Sequence, residues 1–152
     1  MFGFIFTHVE TTHYEPEAKQ MAKQAKVLDD AELRRVLAVA GATRQASRNT
    51  LLVQMTYMAG ARACELASLL VSDVQNEDGS VVDVVTLERW QTKGGGRARL
   101  FLSPRLRRAI AQYLAARPKL AAQPNHPLFY SQKGSGLTTQ AIINLFAKLY
   151  RD

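Results

Sequence analysis

The sequence has little cysteine and no long apolar segment. Cys64 is the only cysteine among 152 residues, so no disulfide can form within the chain, and a reducing cytoplasm is the expected compartment. No apolar run approaches the ~20 residues that span a bilayer. The apolar start, Met1–Phe6, lacks the basic residues that precede the apolar core of a signal peptide. We therefore expect a cytoplasmic protein without a membrane partner.

Acidic residues are nearly absent from the second half of the chain. Arg89–Asp152 holds 12 Lys and Arg residues against Asp152 alone, a net charge of +11. Met1–Glu88 holds 8 Lys and Arg against 12 Asp and Glu, a net charge of −4. Such a division of charge favours a nucleic acid as partner. A basic surface that faces only solvent is the alternative.

Two common kinds of catalytic site are also missing from the sequence. No group of His, Cys and Asp residues has the spacing of metal ligands. No glycine-rich loop ends in the Lys-Ser or Lys-Thr pair that cradles nucleotide phosphates. We therefore expect no metal and no cofactor.

The amino-terminal half is predicted to be helical. Met1–Lys26 has no clear period and is interpreted as a tail or a short leading helix. A capping box formed by Asp29 and Glu32 starts a first helix that ends at Gly41. A second helix covers about Ser47–Ala59. A third begins near Arg62 and carries Leu66, Leu69 and Leu70.

The pattern then changes to that of a small antiparallel sheet. β-branched residues predict a strand at Val81–Leu87, and a return strand at Arg97–Leu102 follows the flexible turn Gly94–Gly96. A loop is predicted at Pro118–Pro127. Two helices close the order, capped by Ser103 and by Thr138 or Thr139.

Three arginines crowd the first turn of the helix that Ser103 caps. A helix dipole disfavours cations at that end, and a phosphate backbone would offset the cost. Together with two arginines of the return strand they are the predicted DNA contacts, Arg97, Arg99, Arg105, Arg107 and Arg108. An ordinary exposed turn is the alternative.

The stretch Ala59–Leu66 places an arginine at the start of a helix. Gly60 closes one helix, and Arg62, two residues later, opens the next helix. A planar guanidinium beside a helix start favours a phosphate. Taken alone the pattern is weak, since a surface arginine is the default.

The sequence resembles the catalytic domain of tyrosine recombinases, the phage integrase family. The family's first-arginine box is Thr-Gly-x-Arg-x-x-Glu-Leu, followed by a Leu and an Asp. The matching residues here are Gly60, Arg62, Glu65, Leu66, Leu69 and Asp73, with Ala59 in place of the Thr. The segment Thr92-Lys93-Gly94 is similar to the family's Thr-Lys-Gly hairpin motif. The resemblance covers about Leu28 to Tyr150.

The resemblance implies an α+β fold, mostly helical with a small antiparallel sheet, as in the amino-terminal part of that catalytic domain. It implies double-stranded DNA as partner, and strand cleavage and rejoining through a phosphotyrosine. Arg62 would hold the scissile phosphate, and Lys93 would be a general acid near the leaving 5′ oxygen. Glu65 would support the helix that carries Arg62. The alternatives are a surface arginine, a solvated hairpin lysine and a purely structural glutamate.

The family's remaining catalytic residues do not appear in the sequence. His-x-x-Arg is absent, because the residues three places after His8, His13 and His126 are Thr11, Pro16 and Phe129. Tyr150 precedes the expected position of that box and is predicted on the apolar side of its helix, so it is a poor nucleophile candidate. We therefore expect residues 27–152 to form a partial catalytic domain, truncated before the second Arg and the nucleophilic Tyr and inactive alone.

A non-catalytic role is the alternative that the sequence leaves open. Such a chain would be a DNA-binding regulator, or it would dock through an exposed apolar face on a second copy of itself or on a complete recombinase. An unrelated small basic RNA-binding protein is a third interpretation. It is disfavoured because the aromatic motifs of sheet-based RNA modules are absent.

Overall fold

The computed structural model describes residues 28–152, and the predicted tail or leading helix at 1–26 lies outside the described residues. The described range contains helices, one turn of 3-10 helix at Arg89–Gln91 and a two-stranded sheet. The helices are α1 (Asp30–Gly41), α2 (Ala46–Ala59), α3 (Ala63–Ser68), α4 (Val71–Val74), α5 (Pro104–Ala115), α6 (Pro118–Ala121) and α7 (Thr139–Arg151). The strands are β1 (Val84–Leu87) and β2 (Ala98–Phe101). The predicted fold class, mostly helical with a small antiparallel sheet, is confirmed.

Local capping signals fix the start of three helices. At α1 the Asp29 carboxylate accepts from the Glu32 amide at 2.8 Å, and the Glu32 carboxylate accepts from the Asp29 amide at 3.1 Å. Ser103 and Thr138 cap α5 and α7 without a reciprocal bond, since their hydroxyl oxygens accept from the Leu106 and Ala141 amides. Gly60 ends α2 with a φ of 69°, a left-handed conformation that glycine adopts without strain. These predictions are confirmed, and Thr138 rather than Thr139 is the cap.

The third predicted helix is interrupted, so the prediction of one continuous helix was wrong. Leu69 is extended, with φ −65° and ψ 132°, and its carbonyl accepts from the Leu128 amide at 2.9 Å. Asp73 then accepts from the Leu70 amide at 2.8 Å and caps the short α4. The break arises because residues 69–70 pair with a segment that is distant in the sequence, including the Leu70–Pro127 bridge.

The sheet is shorter than predicted at both strands. Its antiparallel register pairs Val85 with Leu100 and Thr86 with Arg99. Val85 and Leu100 are buried, whereas Thr86 and Arg99 face solvent. The sheet therefore closes one side of the core, and its outer face carries the exposed Phe101 beside Thr86 and Arg99.

The main core lies between α2, α3, α5 and the inner face of the sheet. The predicted apolar stripe of α5 is buried as expected, at Leu106, Ile110, Tyr113 and Leu114. The segment Pro118–Pro127 was predicted to be a loop, but it begins with α6. Pro118 suits the first position of a helix, and Leu120 is buried against the core.

Replacing Tyr113 with phenylalanine should lower the free energy of unfolding by about 1 kcal/mol. The Tyr113 hydroxyl donates to the Leu128 carbonyl at 2.9 Å within the core. Burial raises the pKa of Tyr113 to about 12, although the positive charge of Arg117 opposes the shift. As the pH rises, the Tyr113 hydroxyl loses its proton in the unfolded chain before it does so in the folded chain. Its contribution to the free energy of unfolding is therefore complete below pH ~10 and is lost as the pH rises towards 12. Urea unfolding of the wild type and of Tyr113→Phe across this pH range should show that the difference between their free energies of unfolding shrinks.

Candidate nucleic-acid interface

Arg62 stands at the start of α3, and a buried carboxylate fixes its backbone. The Glu65 side chain is 6% exposed, and its Oε2 accepts from the Arg62 amide at 2.8 Å. The Ser68 hydroxyl donates to the Glu65 carbonyl at 2.8 Å and closes the other end of the same helix. The Arg62 side chain itself is exposed, and within residues 28–152 it has no hydrogen-bond or ion-pair partner. The helix start is thus held in place while the guanidinium remains free to meet a ligand.

Lys93 follows the 3-10 turn, in the connection between the two strands. The preceding Gln91 is 3% exposed. Its Nε2 donates to Asp73 Oδ2 at 3.0 Å and to the Ser68 carbonyl at 3.4 Å. Its Oε1 accepts from the Glu88 amide at 2.9 Å. Gln91 therefore ties the base of the hairpin to the end of α3 and to α4, which places Lys93 relative to Arg62.

The hairpin connection is closed by short-range contacts. The Thr92 hydroxyl donates to the Gly96 carbonyl, and Gly95 takes a φ of 65°. Arg97 Nε lies 3.5 Å from Glu88 Oε2, and both side chains are more than half exposed. Such an exposed pair stabilises the hairpin little. Lys93 and the three glycines stay on the surface, so the lysine retains freedom to reach a bound ligand.

Arg62 and Lys93 line the same cleft, which has a volume of about 720 Å³. It lies where α3 meets the 3-10 turn and the start of α7. Its remaining walls are Ala63, Cys64, Ala67, Ser68, Trp90, Gln91, Thr92, Leu137, Thr138, Thr139 and Ile143. The fold therefore brings two cations from separate elements to one partly apolar cavity, an arrangement that suits a phosphate with an organic group attached.

The five arginines predicted to contact DNA fall into two groups. Arg97 and Arg99 are exposed on the hairpin. The other three lie on α5, which begins just after β2. Lys93 lies at the opposite end of the β1–β2 ladder, and this ladder is about 10 Å long. Arg105 and Arg108 are exposed, and Arg107 Nη1 is paired with Asp83 Oδ1 at 3.1 Å. None of the five lines the cleft.

Tyr150 lies on α7, away from the residues that line the cleft. Its side chain is 36% exposed, and its ring centroid is 5.9 Å from that of Phe146. The predicted apolar position is thus only partly correct. Burial raises the pKa of Tyr150 above its ordinary value, which is the opposite of what activates a tyrosine nucleophile.

The sequence did not point to two residues of the candidate interface. Gln91 is the buried anchor of the hairpin, and its long-range partners leave no local signal. Trp90 is 68% exposed and lines the cleft. The position of the single tryptophan beside Arg89, three residues before Lys93, is the signal that was available.

The described range shows no metal site and no membrane helix. Within residues 28–152, no three His, Cys, Asp or Glu side chains are grouped so that they would hold a metal ion. In the same range, every helix is too short or too polar to cross a bilayer.

Comparison with known proteins assigns the family. Residues 26–152 match the model of the phage integrase family. The chain belongs to this family. The first-arginine box and the hairpin lysine of this integrase-family chain both fall inside the matched range. The search of curated proteins found no match.

A solved structure shows the same fold. The crystal structure of XerA recombinase superposes with a TM-score of 0.65 at 21% sequence identity. The match covers 89% of this chain and 45% of that one, so the matched part spans less than half the length of that recombinase. At this identity the likeness concerns the fold, and the roles of individual residues rest on the geometry above.

Replacing Gln91 with alanine should lower the free energy of unfolding by about 1–2 kcal/mol, because the Glu88 amide loses its acceptor and Asp73 loses a donor. Gln123→Ala is the matched control, since the Gln123 amide donates to the Lys119 carbonyl at the surface. The control should change stability by less than about 0.5 kcal/mol. Urea unfolding measures both, and equal values for the two variants would contradict the anchoring role of Gln91.

Proposed function

We propose that this chain binds double-stranded DNA and holds one backbone phosphate between Arg62 and Lys93. The observation that carries the proposal is the shared cleft, in which these two cations from α3 and the hairpin meet. A guanidinium presents a planar fork to the non-bridging oxygens, and an ammonium adds a mobile point charge. The exposed Arg97, Arg99, Arg105 and Arg108 would contact neighbouring phosphates. Arg97 and Arg107 would do so only by leaving or sharing their partners, Glu88 and Asp83.

The reaction that this site would serve is the cleavage and rejoining of a DNA strand. Arg62 would stabilise the charge that develops on the non-bridging oxygens as the phosphate is attacked. Lys93 would donate a proton to the leaving 5′ oxygen. Glu65 touches neither group, and it would act by holding the Arg62 backbone in place.

We further propose that the 152-residue chain binds DNA without cutting it. Its sequence holds no His-x-x-Arg, and Tyr150 has a raised pKa and lies outside the cleft. A second arginine and an activated tyrosine would have to come from elsewhere, such as a complete recombinase. The second candidate function is that of a DNA-binding regulator. It is favoured because the cleft combines two cations that would bind a phosphate with the absence of a tyrosine nucleophile among the described residues that line it.

The salt dependence of DNA binding tests this proposal. Binding of a labelled duplex, followed by fluorescence anisotropy, should weaken linearly on a plot of log affinity against log salt. A slope of about −2 to −4 is expected, at roughly 0.9 per neutralised phosphate. Affinity that does not change with salt would contradict a phosphate-binding site. A covalent protein–DNA adduct on a nicked suicide substrate would overturn the claim that the chain does not cut.

A further inference from the structure

Trp90 is an unusually exposed aromatic residue. Tryptophan side chains are highly buried on average, yet Trp90 is 68% exposed on the wall of the cleft that holds Arg62 and Lys93. It is also the only tryptophan in the chain. Binding a phosphate through Arg62 and Lys93 does not require an exposed aromatic ring beside them.

The backbone on both sides of Trp90 is held in place. The 3-10 turn closes through the Gln91 amide, which donates to the Glu88 carbonyl at 2.9 Å. The neighbouring Gln91 side chain is buried and bonded to Asp73 and to the Ser68 carbonyl. The ring is therefore presented from a fixed backbone. Presenting a group in advance reduces the entropy lost when a ligand binds.

The charges around Trp90 point to the chemistry of the ligand. The neighbouring Arg89, Lys93 and Arg62 are all exposed. Cations that track a phosphate backbone, combined with an aromatic face on which a base stacks, are the usual means of binding single-stranded nucleic acids. Three cations of one sign around one aromatic ring favour a polyanion as the ligand.

We propose that Trp90 packs against the sugar or base of the nucleotide next to the phosphate held by Arg62 and Lys93. The inference rests on the proposed function, and it adds a contact with the nucleoside to a site otherwise built for the phosphate. Trp90 would thereby set which nucleotide lies beside the cations. A gapped duplex, in which a base is free to unstack, should engage the ring more fully than an intact duplex.

Tryptophan fluorescence gives a direct test, because Trp90 is the sole tryptophan. Adding unlabelled duplex to the full chain should quench the emission, and gapped duplex should quench it further. Trp90→Ala should weaken binding of the gapped duplex about tenfold, and Trp90→Phe should recover most of the affinity. Phe101→Ala is the matched control, since Phe101 is equally exposed at 68% but lies at the far end of the sheet. The control should change affinity less than twofold.

Anisotropy of labelled DNA separates the failure of this inference from the failure of the proposed function. Wild-type binding with unchanged tryptophan emission and an unaffected Trp90→Ala variant would overturn the nucleoside contact and leave phosphate binding standing. No binding by the wild type at low salt would overturn both. Self-association that Trp90→Ala abolishes, with unchanged DNA affinity, would assign the ring to a protein interface instead. Circular dichroism and the midpoint of urea unfolding confirm that each variant is folded.

Discussion

Replacing Glu65 with alanine is expected to lower the free energy of unfolding by about 2–3 kcal/mol. Glu65 is 6% exposed, and its carboxylate oxygen is the acceptor for the Arg62 amide. Alanine leaves that amide without an acceptor in a partly buried place, and hydrogen bonds to charged acceptors are stronger than neutral ones. The helix that begins there has only six residues, so it contains few internal bonds with which to compensate.

Urea unfolding of three variants isolates this effect. Glu65→Gln keeps an acceptor oxygen at the same place, so it should cost only about 1 kcal/mol. Glu77→Ala removes an exposed carboxylate and should change stability by less than about 0.5 kcal/mol. DNA affinity, measured where every variant is folded, should fall for Glu65→Ala and be largely retained by Glu65→Gln. Equal stabilities for the Glu65→Ala and Glu77→Ala variants would contradict the account of how Arg62 is held.

The parts of the fold that the sequence predicted are those with local causes. Asp29, Ser103 and Thr138 are each followed by the amide that they cap, so the signal lies within one helical turn. Gly60 ends α2 because the chain there must adopt a left-handed conformation. The apolar stripe of α5 follows from its period alone. None of these features needs knowledge of a distant residue.

The parts that were missed depend on contacts between distant residues. The break between α3 and α4 arises because Leu69 and Leu70 pair with Leu128 and Pro127, and no local sequence pattern predicts that pairing. Asp73 was matched only as a position in a motif, and the structure shows that it caps α4 and accepts from Gln91. Arg107 was grouped with its neighbours, although an ion pair with Asp83 sets it apart.

The candidate site was predicted through a resemblance and not through its geometry. The spacing of Gly60 and Arg62 indicated a phosphate ligand only weakly, and nothing local linked Arg62 to Lys93. The link is the buried Gln91, which joins the hairpin to α3 and brings both cations to one cleft. Trp90, on the wall of the same cleft, is apolar, so the charge pattern of the sequence did not point to it.

Removing both cations of the cleft is expected to weaken binding of double-stranded DNA by about 50- to 100-fold at low salt. Each charge-assisted contact with a phosphate contributes roughly 1–1.5 kcal/mol, or about tenfold, at a partly exposed site. The variant Arg62→Ala/Lys93→Ala should also reduce the salt slope by about 1, because the one phosphate that both cations hold is no longer neutralised. Arg62→Lys should fall between the wild type and Arg62→Ala, since an ammonium cannot bind two oxygens in a plane.

A charge-matched comparison of affinities tests whether Arg62 and Lys93 form a phosphate site. Arg34→Ala/Lys119→Ala lowers the formal net charge from +7 to +5, as the cleft variant does, but removes exposed side chains of α1 and α6 that lie outside the cleft. Anisotropy titrations of the three proteins with one labelled duplex at one salt concentration measure the difference. We expect the control to lose less than about threefold in affinity, the part due to net charge alone, and the cleft variant to lose at least about 50-fold. Equal losses in the two double variants would contradict a phosphate site between Arg62 and Lys93.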